Sequence, residues 1–379
     1  MNHNNKSAVT LQSFLEHKTL YYDKIDFNTI KVAWEFVRLY VKLPYVVHIV
    51  GTNGKGSTGR FLAHYLQQQN HKVLHYSSPH ILEFNERIWV NGTNVKDEVL
   101  EEFHQALQTI IPQKLLEKLT YFEYTTLLAL LISSGMDYLV LEAGLGGEFD
   151  ATNVVINDLS LITPIDLDHQ QFLGESITDI AATKLRSCDN KMIVAKQKHQ
   201  EVYDVACSFN SQKANEYDTS SLTHLPSYLR QNLNLVLSAL AYLNVPIDLQ
   251  YFKDVKMQGR CEQIASNITI DVGHNPLAAS VIAQEFLSRQ QRVSLVYNSF
   301  EDKDYTQVLT LLKPIINEVL ILDVEDKRIV KKEVLEQVCE ELKLPYASFQ
   351  TIEEEKNYLV FGSFSVVEKF LLLKRQHEK

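Results

Sequence analysis

Apolar, β-branched runs alternate with runs of helical period for most of this chain. "YVVHIV" (45–50) predicts a buried strand, and it leads straight into a glycine loop at 51–58. "GRFLAHYLQQQN" follows with Phe61, Leu62 and Tyr65 at helical spacing. "KVLHYSS" (72–78) predicts the next strand, and "YFEYTTLLALLISSG" a buried helix ending at Gly135. "DYLVLEAGLGG" (137–147) is a strand running into a second glycine turn, and "LSLITPIDLDH" (159–169) repeats the design. Strand, loop and helix in succession predict a parallel sheet covered on both faces, with ligands beyond the carboxyl ends of its strands.

After a helix at 230–243 the pattern restarts beyond the turn-rich "QGR". "ITIDVGHNP", "RVSLVYNSF", "NEVLILDV" and "NYLVFGSF" each predict a strand followed by a helix. The expectation is an α/β protein of two domains. A P-loop ATPase-type domain with a parallel central sheet spans 1–260, and a smaller Rossmann-like domain spans 261–379.

Composition narrows the function. The chain has 379 residues, comfortable for two domains, and 45% are hydrophobic, enough for sizeable cores. The net charge of -10 and the lack of a basic stripe argue against a nucleic-acid partner. Cys188, Cys207, Cys261 and Cys339 are widely spread, which suggests reduced thiols in a cytoplasm. The opening "MNHNNKSAVT" is polar and lacks a signal-peptide pattern, and the apolar runs are too short to span a bilayer. With no coiled-coil pattern, a monomer is expected.

The candidate chemistry sits at predicted strand ends. "HIVGTNGKGST" (48–58) places Gly51, Gly54 and Gly56 between strand and helix, so backbone N–H groups can cradle anionic oxygens. Lys55 adds a full charge for phosphates, and the helix start points its positive end at them. The spacing differs from G-x-x-x-x-G-K-[ST], which points to a loop of different geometry. Glu142 ends its strand where a nucleotide-hydrolysing protein keeps an acid for Mg²⁺, though such a residue serves equally as a helix cap. Asp166, Asp168 and His169 stand at the next strand end, with His169 either a metal ligand or a structural loop residue. In "DVGHNP", Asp271 suits a ribose hydroxyl or an Asx turn before Pro276.

Taken together, "HIVGTNGKGST", "YSSPHILEFNERIWVNG", "LTYFEYTT", "LVLEAGLGGEFDATNVV", "ITPIDLDHQQFLG", "GRCEQI" and "IDVGHNP" resemble, in order, the folylpolyglutamate synthase/dihydrofolate synthase family of the Mur ligase superfamily. The resemblance implies ATP and Mg²⁺ as cofactors. It implies ligation of L-glutamate to a pteroate or folate carboxylate through an acyl phosphate, by a bifunctional enzyme or one with a single activity. A Mur-type ligase acting on another carboxylate and a non-catalytic nucleotide-binding regulator are the alternatives.

By the same resemblance Asn53, Gly54, Lys55, Gly56, Ser57, Thr58, Asn234, Arg260 and Asp271 contact ATP. Ser78, Glu142, His169 and Lys184 hold metal, with Lys184 matching a lysine that carries a carbamate. A carbamate forms only on the neutral amine, so burial or nearby cations, Arg186 and the metal, are expected to depress its pKa. His274 faces the glutamate or the acyl phosphate. Phe122, Glu123 and Tyr124 line the pterin side. The chain departs from the family at "TKLRS" (183–187), where Thr183 replaces a glutamate, at Arg230, which replaces a histidine, and at Glu148, which replaces an arginine.

Overall fold

A computed structural model describes residues 9–19 and 27–377. They form two compact units. The first holds residues up to 219 together with 231–253, and the second holds 220–230 and 254 onward.

The first unit is built on an eight-stranded sheet. Its strands are β1 (Tyr45–Val50), β2 (Val73–Tyr76), β3 (Ile88–Val90), β4 (Thr93–Asn94), β5 (Tyr138–Glu142), β6 (Leu159–Ile162), β7 (Lys191–Val194) and β8 (Ser211–Lys213), in the order β4-β3-β2-β5-β1-β6-β7-β8. β2, β5, β1, β6, β7 and β8 run parallel, and the hairpin β3-β4 is antiparallel at one edge. Val46 through Val50 are all buried, as a central strand covered on both faces requires. One core cluster joins Val46, Leu74, Tyr76, Leu139 and Leu141 to helices Phe27–Val37, Asp97–Ile110 and Tyr121–Ile132. Another joins Val50, Ile162, Met192 and Val194 to helices Ile177–Leu185 and Gln200–Ala206. β1 lies between β5 and β6 and runs parallel to both, so the loops leaving these three strands gather at the carboxyl end of the sheet.

The second unit carries a six-stranded sheet of β9 (Glu262–Ala265), β10 (Ile268–Ile270), β11 (Val293–Tyr297), β12 (Ile316–Ile321), β13 (Tyr346–Ser348) and β14 (Tyr358–Phe361). The order is β13-β12-β11-β14-β10-β9, parallel apart from β9. The two α/β layers agree with the sequence expectation, whereas the division does not fall at 260. Residues 254–260 belong to the second unit, and so does 220–230. Partners far along the chain hold 220–230 there. Ser227 donates its N–H (2.9 Å) and hydroxyl (3.1 Å) to Glu285, and Tyr228 donates its hydroxyl to Asp271 at 3.0 Å.

Candidate active site

The loop after β1 turns into helix Lys55–Gln68 through Gly54, which has φ +86°. A Cβ on Gly54 would stand 2.8 Å from the Asn232 carboxamide, and one on Gly51 would stand 2.0 Å from Thr163 Oγ1, so both positions need glycine. No side chain caps this helix. The N–H groups of its first turn are therefore left to an anion, with the helix dipole behind them. Lys55 donates to the carbonyls of Gly51 and Thr52, both at 3.2 Å. Ser57 Oγ donates to Gly54 O at 3.1 Å and accepts from Asn232 Nδ2 at 2.9 Å. The N–H groups of Thr52 and Asn53 are spent on Pro164 O.

Thr58 is fully buried, and among the described residues its hydroxyl has no protein partner. Asn234 accepts the Tyr217 N–H at 3.1 Å, while Asn232, which sequence reasoning missed, reaches the loop. Two residues along a helix turn a side chain through roughly 200°, so the two asparagines point apart.

Glu142 ends β5 and is 4% exposed, and its Oε2 accepts the Ser78 N–H at 3.3 Å. His169 sits at φ +52° at the start of the short helix Gln170–Leu173, with Nε2 3.8 Å from Asp168 Oδ1. Asp166 pairs with His199 (2.9 Å) and Lys198 (3.3 Å). Among the described residues no three His, Cys, Asp or Glu side chains converge as a metal cage. Mg²⁺ takes one or two protein oxygens and fills its octahedron with phosphate and water. Ser78 and Glu142 stand together through their hydrogen bond and are the candidate oxygen donors, and among the described residues His169 does not form a cage with them.

Lys184 is 4% exposed and donates to Gly51 O at 3.0 Å, the carbonyl that Lys55 also uses. Burial, then the Lys55 charge, pull its pKa down to about 7 against Asp168 and Asp150. The positive neighbour is thus Lys55. Arg186, which sequence reasoning placed in that role, is turned to Glu148.

Of the candidates for the pterin side, Phe122 stacks on Tyr76 at 5.9 Å and abuts Gly144, where a Cβ would stand 2.6 Å from its ring. Glu123 and Tyr124 do not share that role. Glu123 is 2% exposed and closes a capping box, its Oε2 accepting from Thr120 N and Thr120 Oγ1, both at 2.9 Å. Tyr124 is fully buried against helix Asp97–Ile110, its hydroxyl 2.7 Å from His104 Nδ1.

Asp150 and Arg87 went unnoticed in the sequence. Asp150 accepts from Leu145 N (2.7 Å), Thr152 N (2.9 Å) and Thr152 Oγ1, which ties down the second glycine turn. Arg87, 8% exposed, donates Nε to His80 Nδ1 at 2.8 Å and lies 5.2 Å from the Tyr121 ring. An arginine between Glu86 and the apolar run "IWV" was the available signal.

In the second unit Asp271 is 4% exposed and already engaged. Oδ2 accepts from Tyr228 Oη (3.0 Å) and Cys261 N (2.8 Å), and Oδ1 from Gly273 N (2.8 Å). This is a turn anchor before it is a ribose ligand. Arg260 donates to Gly259 O at 3.2 Å and lies 5.5 Å from the Phe364 ring. Asn275, with Pro276 behind it, caps helix Pro276–Ser288, and His274 Nδ1 is 3.2 Å from Val272 O.

No family model matches the chain. The dihydrofolate synthase/folylpolyglutamate synthase of Haemophilus influenzae is 30% identical to it, over 94% of this chain and 95% of that one. The chain belongs to the dihydrofolate synthase/folylpolyglutamate synthase family. The Escherichia coli K12 member is also 30% identical, over 85% and 84%. Among solved structures, Helicobacter pylori folylpolyglutamate synthetase matches at 39% identity and a TM-score of 0.77, over 97% of this chain and 98% of that one. E. coli FolC in complex with DHPP and ADP matches at 25% and 0.83, over 97% of each. The Yersinia pestis bifunctional enzyme complexed with AMPPNP and Mn matches at 25% and 0.81, over 96% and 97%.

Within this member of the family, two departures at 148 and 183–187 answer one another. Arg186 Nε donates to Glu148 Oε2, Glu148 N donates to Thr183 O at 3.0 Å, and Arg186 Nη2 reaches Thr183 Oγ1 at 3.4 Å. The acid at 148 meets a cation at 186, so the substitution leaves a matched pair and not a bare negative charge.

Proposed function

We propose that this protein is an ATP-dependent ligase that joins the amine of L-glutamate to the carboxylate of dihydropteroate and of tetrahydrofolate. The observation that carries the reading is the uncapped helix start at Gly54–Ser57, flanked by Lys55 and edged by Ser78 and Glu142. A carboxylate is a poor electrophile. Its oxygen takes the γ-phosphoryl group of ATP, giving an acyl phosphate and ADP. The glutamate nitrogen then forms the amide bond, inorganic phosphate leaves with the C–O electron pair, and the amine proton goes to solvent or base.

Lys55 and the first-turn N–H groups offset charge on the transferring phosphoryl group. Ser78 and Glu142, with His169 as a further candidate, would hold Mg²⁺, which would supply electrostatic stabilisation of the phosphates. Lys184, held near neutrality as an amine, is suited to add CO₂ and become a carbamate oxygen ligand. Phe122 offers a stacking face for a pterin. Arg260, Asp271 and His274 are assigned to the nucleotide and the acyl phosphate by family resemblance. The four free cysteines fit a reducing compartment, and the reading takes the enzyme to be a cytoplasmic monomer.

The test is ADP release with dihydropteroate, with tetrahydrofolate and with a cell-wall precursor, each with and without glutamate. Glutamate-dependent ADP release is expected with both pterin substrates. Release with tetrahydrofolate alone makes the enzyme monofunctional. Release only with the cell-wall precursor, or none at all, defeats the proposal.

A further inference from the structure

Helix Lys55–Gln68 is held at both ends by residues 231–253, the stretch that returns the chain to the first unit. At the end away from the loop, Tyr65 donates its hydroxyl to Pro246 O (2.5 Å) and accepts the Asp248 N–H (2.7 Å). Phe252 stacks on Tyr65 at 5.0 Å and meets Phe61 edge-on at 5.7 Å. At the loop end the tie is polar. Asn232 Nδ2 donates to Ser57 Oγ at 2.9 Å. The same carboxamide lies against Gly54, where a Cβ would meet its Nδ2, Oδ1 and Cγ at 2.8, 3.0 and 3.1 Å. Leu233, Val236 and Leu240 are buried, which fixes the rotation of the helix that carries Asn232.

The hydrogen bonds of Ser57 decide what its hydroxyl can do. A serine hydroxyl has one proton and two lone pairs. The Ser57 proton goes to Gly54 O at 3.1 Å, and one lone pair takes the Asn232 N–H. One lone pair is left. Ionised phosphate oxygens only accept, so a hydroxyl held in this way has nothing to donate to them. It suits an electron-poor partner instead: a cation that takes hard oxygen ligands, or a water bound to one. Without the Asn232 donor the hydroxyl is free to change rotamer and to aim its proton at a phosphate. Ser57 is 2% and Asn232 9% exposed, so losing the donor leaves a buried acceptor short of a partner.

We propose that Asn232 is a positioning residue of the nucleotide loop: by donating to Ser57 it holds the serine oxygen as an acceptor for the cation that accompanies the phosphates. Residues 231–253 thus set both the direction of helix Lys55–Gln68 and the polarity of the hydroxyl in its first turn. The inference rests on the ligase reading above.

The test uses the full chain and measures AMPPNP affinity by calorimetry, once with Mg²⁺ and once in EDTA. Asn232→Leu keeps the approximate shape of the side chain and lacks the donor. It is expected to weaken binding about 10-fold with Mg²⁺, the low end for loss of a group that orients a metal ligand, and far less in EDTA. Ser57→Ala should show the same pattern. Adding Asn232→Leu to Ser57→Ala should weaken binding little further, because the group that Asn232 positions is already gone. Unchanged affinity with Mg²⁺ in Asn232→Leu overturns the proposal. So does an equal loss with and without Mg²⁺, which marks a distorted loop. Full additivity of the two substitutions overturns it as well, since Asn232 then acts through its packing on Gly54 and not through Ser57. Should Asn232→Leu fail to fold against the close Gly54 backbone, the smaller Asn232→Ala decides by the same criteria. Wild-type protein that fails to bind AMPPNP with Mg²⁺ defeats the ligase reading instead, before any variant is made.

Discussion

Two lysines share one carbonyl. Lys55 and Lys184 both donate to Gly51 O, at 3.2 and 3.0 Å. Two ammonium groups so close repel each other, and the more buried one is the one that gives up its proton. Lys55→Ala should cut ATP-dependent turnover by about 100-fold or more, the scale of losing a charge aimed at a transferring group. Its melting temperature should stay close to wild type, because the side chain touches only loop carbonyls. Steady-state kinetics beside a thermal melt check both halves.

Lys184→Ala should lose most activity and regain part of it with short carboxylic acids, which replace the carbamate oxygens. A variant with full activity, or one that no acid rescues, counts against the carbamate. Stability follows a separate rule. The folded pKa of about 7 lies below the unfolded value of 10.5. Between those values the unfolded chain binds a proton that the folded chain has shed, so stability rises with pH across that window. Lys184→Met should therefore raise the melting temperature most below pH 7 in CO₂-free buffer. The gain should fade towards pH 10.5.

At the level of elements, the second glycine turn is a wedge between the Phe122 ring and the end of the helix that carries Lys184. A Cβ on Gly147 would stand 2.5 Å from Lys184 O and 2.9 Å from its Cα. Both are backbone atoms, so the turn or the helix end must move. Gly147→Ala should cost about 1–3 kcal/mol and lower kcat, because it displaces Lys184. Calorimetry and single-turnover kinetics read the two effects, and an alanine variant with wild-type kcat would leave the turn without a role in placing Lys184. Arg186→Ala should cost under about 1 kcal/mol, since its pair with Glu148 is half exposed.

These elements were legible because β1, β5 and β6 are mostly apolar runs, with β1 leading into Gly51, β5 ending in Glu142 and β6 leading into Thr163-Pro164. The errors at Glu123 and Tyr124 were legible too. Thr120 followed three residues on by Glu123 is a capping-box signature, and a tyrosine inside the apolar run to Ile132 belongs to a core. The resemblance to a substrate motif drew both residues towards the ligand. Asn232 was harder to find, because choosing between two asparagines on one helix needs the helix's rotation about its axis, which spacing alone does not fix.

For the whole molecule, the plan of two α/β units follows from the sequence, but the division of the chain does not. Nothing in the composition of 220–230 marks it as part of the second unit. What assigns it there are partners far along the chain: Glu285 for Ser227, and Asp271 for Tyr228. Such pairs are invisible to any local pattern. Tyr228→Phe tests whether the assignment matters to folding. Burial raises the pKa of Asp271 above its ordinary 3.8, and the Tyr228 hydroxyl is one of the donors that hold the shift back. Removing that hydroxyl leaves a buried carboxylate oxygen short of a donor, a loss of about 1–3 kcal/mol. The cost falls on the ionised form alone. A folded pKa above the unfolded one means that the folded chain holds the extra proton, so stability from this group is greatest below pH 3.8 and declines as pH rises through the folded value. Tyr228→Phe raises the folded pKa further. Its destabilisation should therefore be full at neutral pH and should shrink as pH falls towards 3.8, where Asp271 is protonated in both proteins. Denaturant unfolding at a series of pH values measures it, and a penalty that is equal at acid and neutral pH would mean that Tyr228 acts through packing and not through the Asp271 charge.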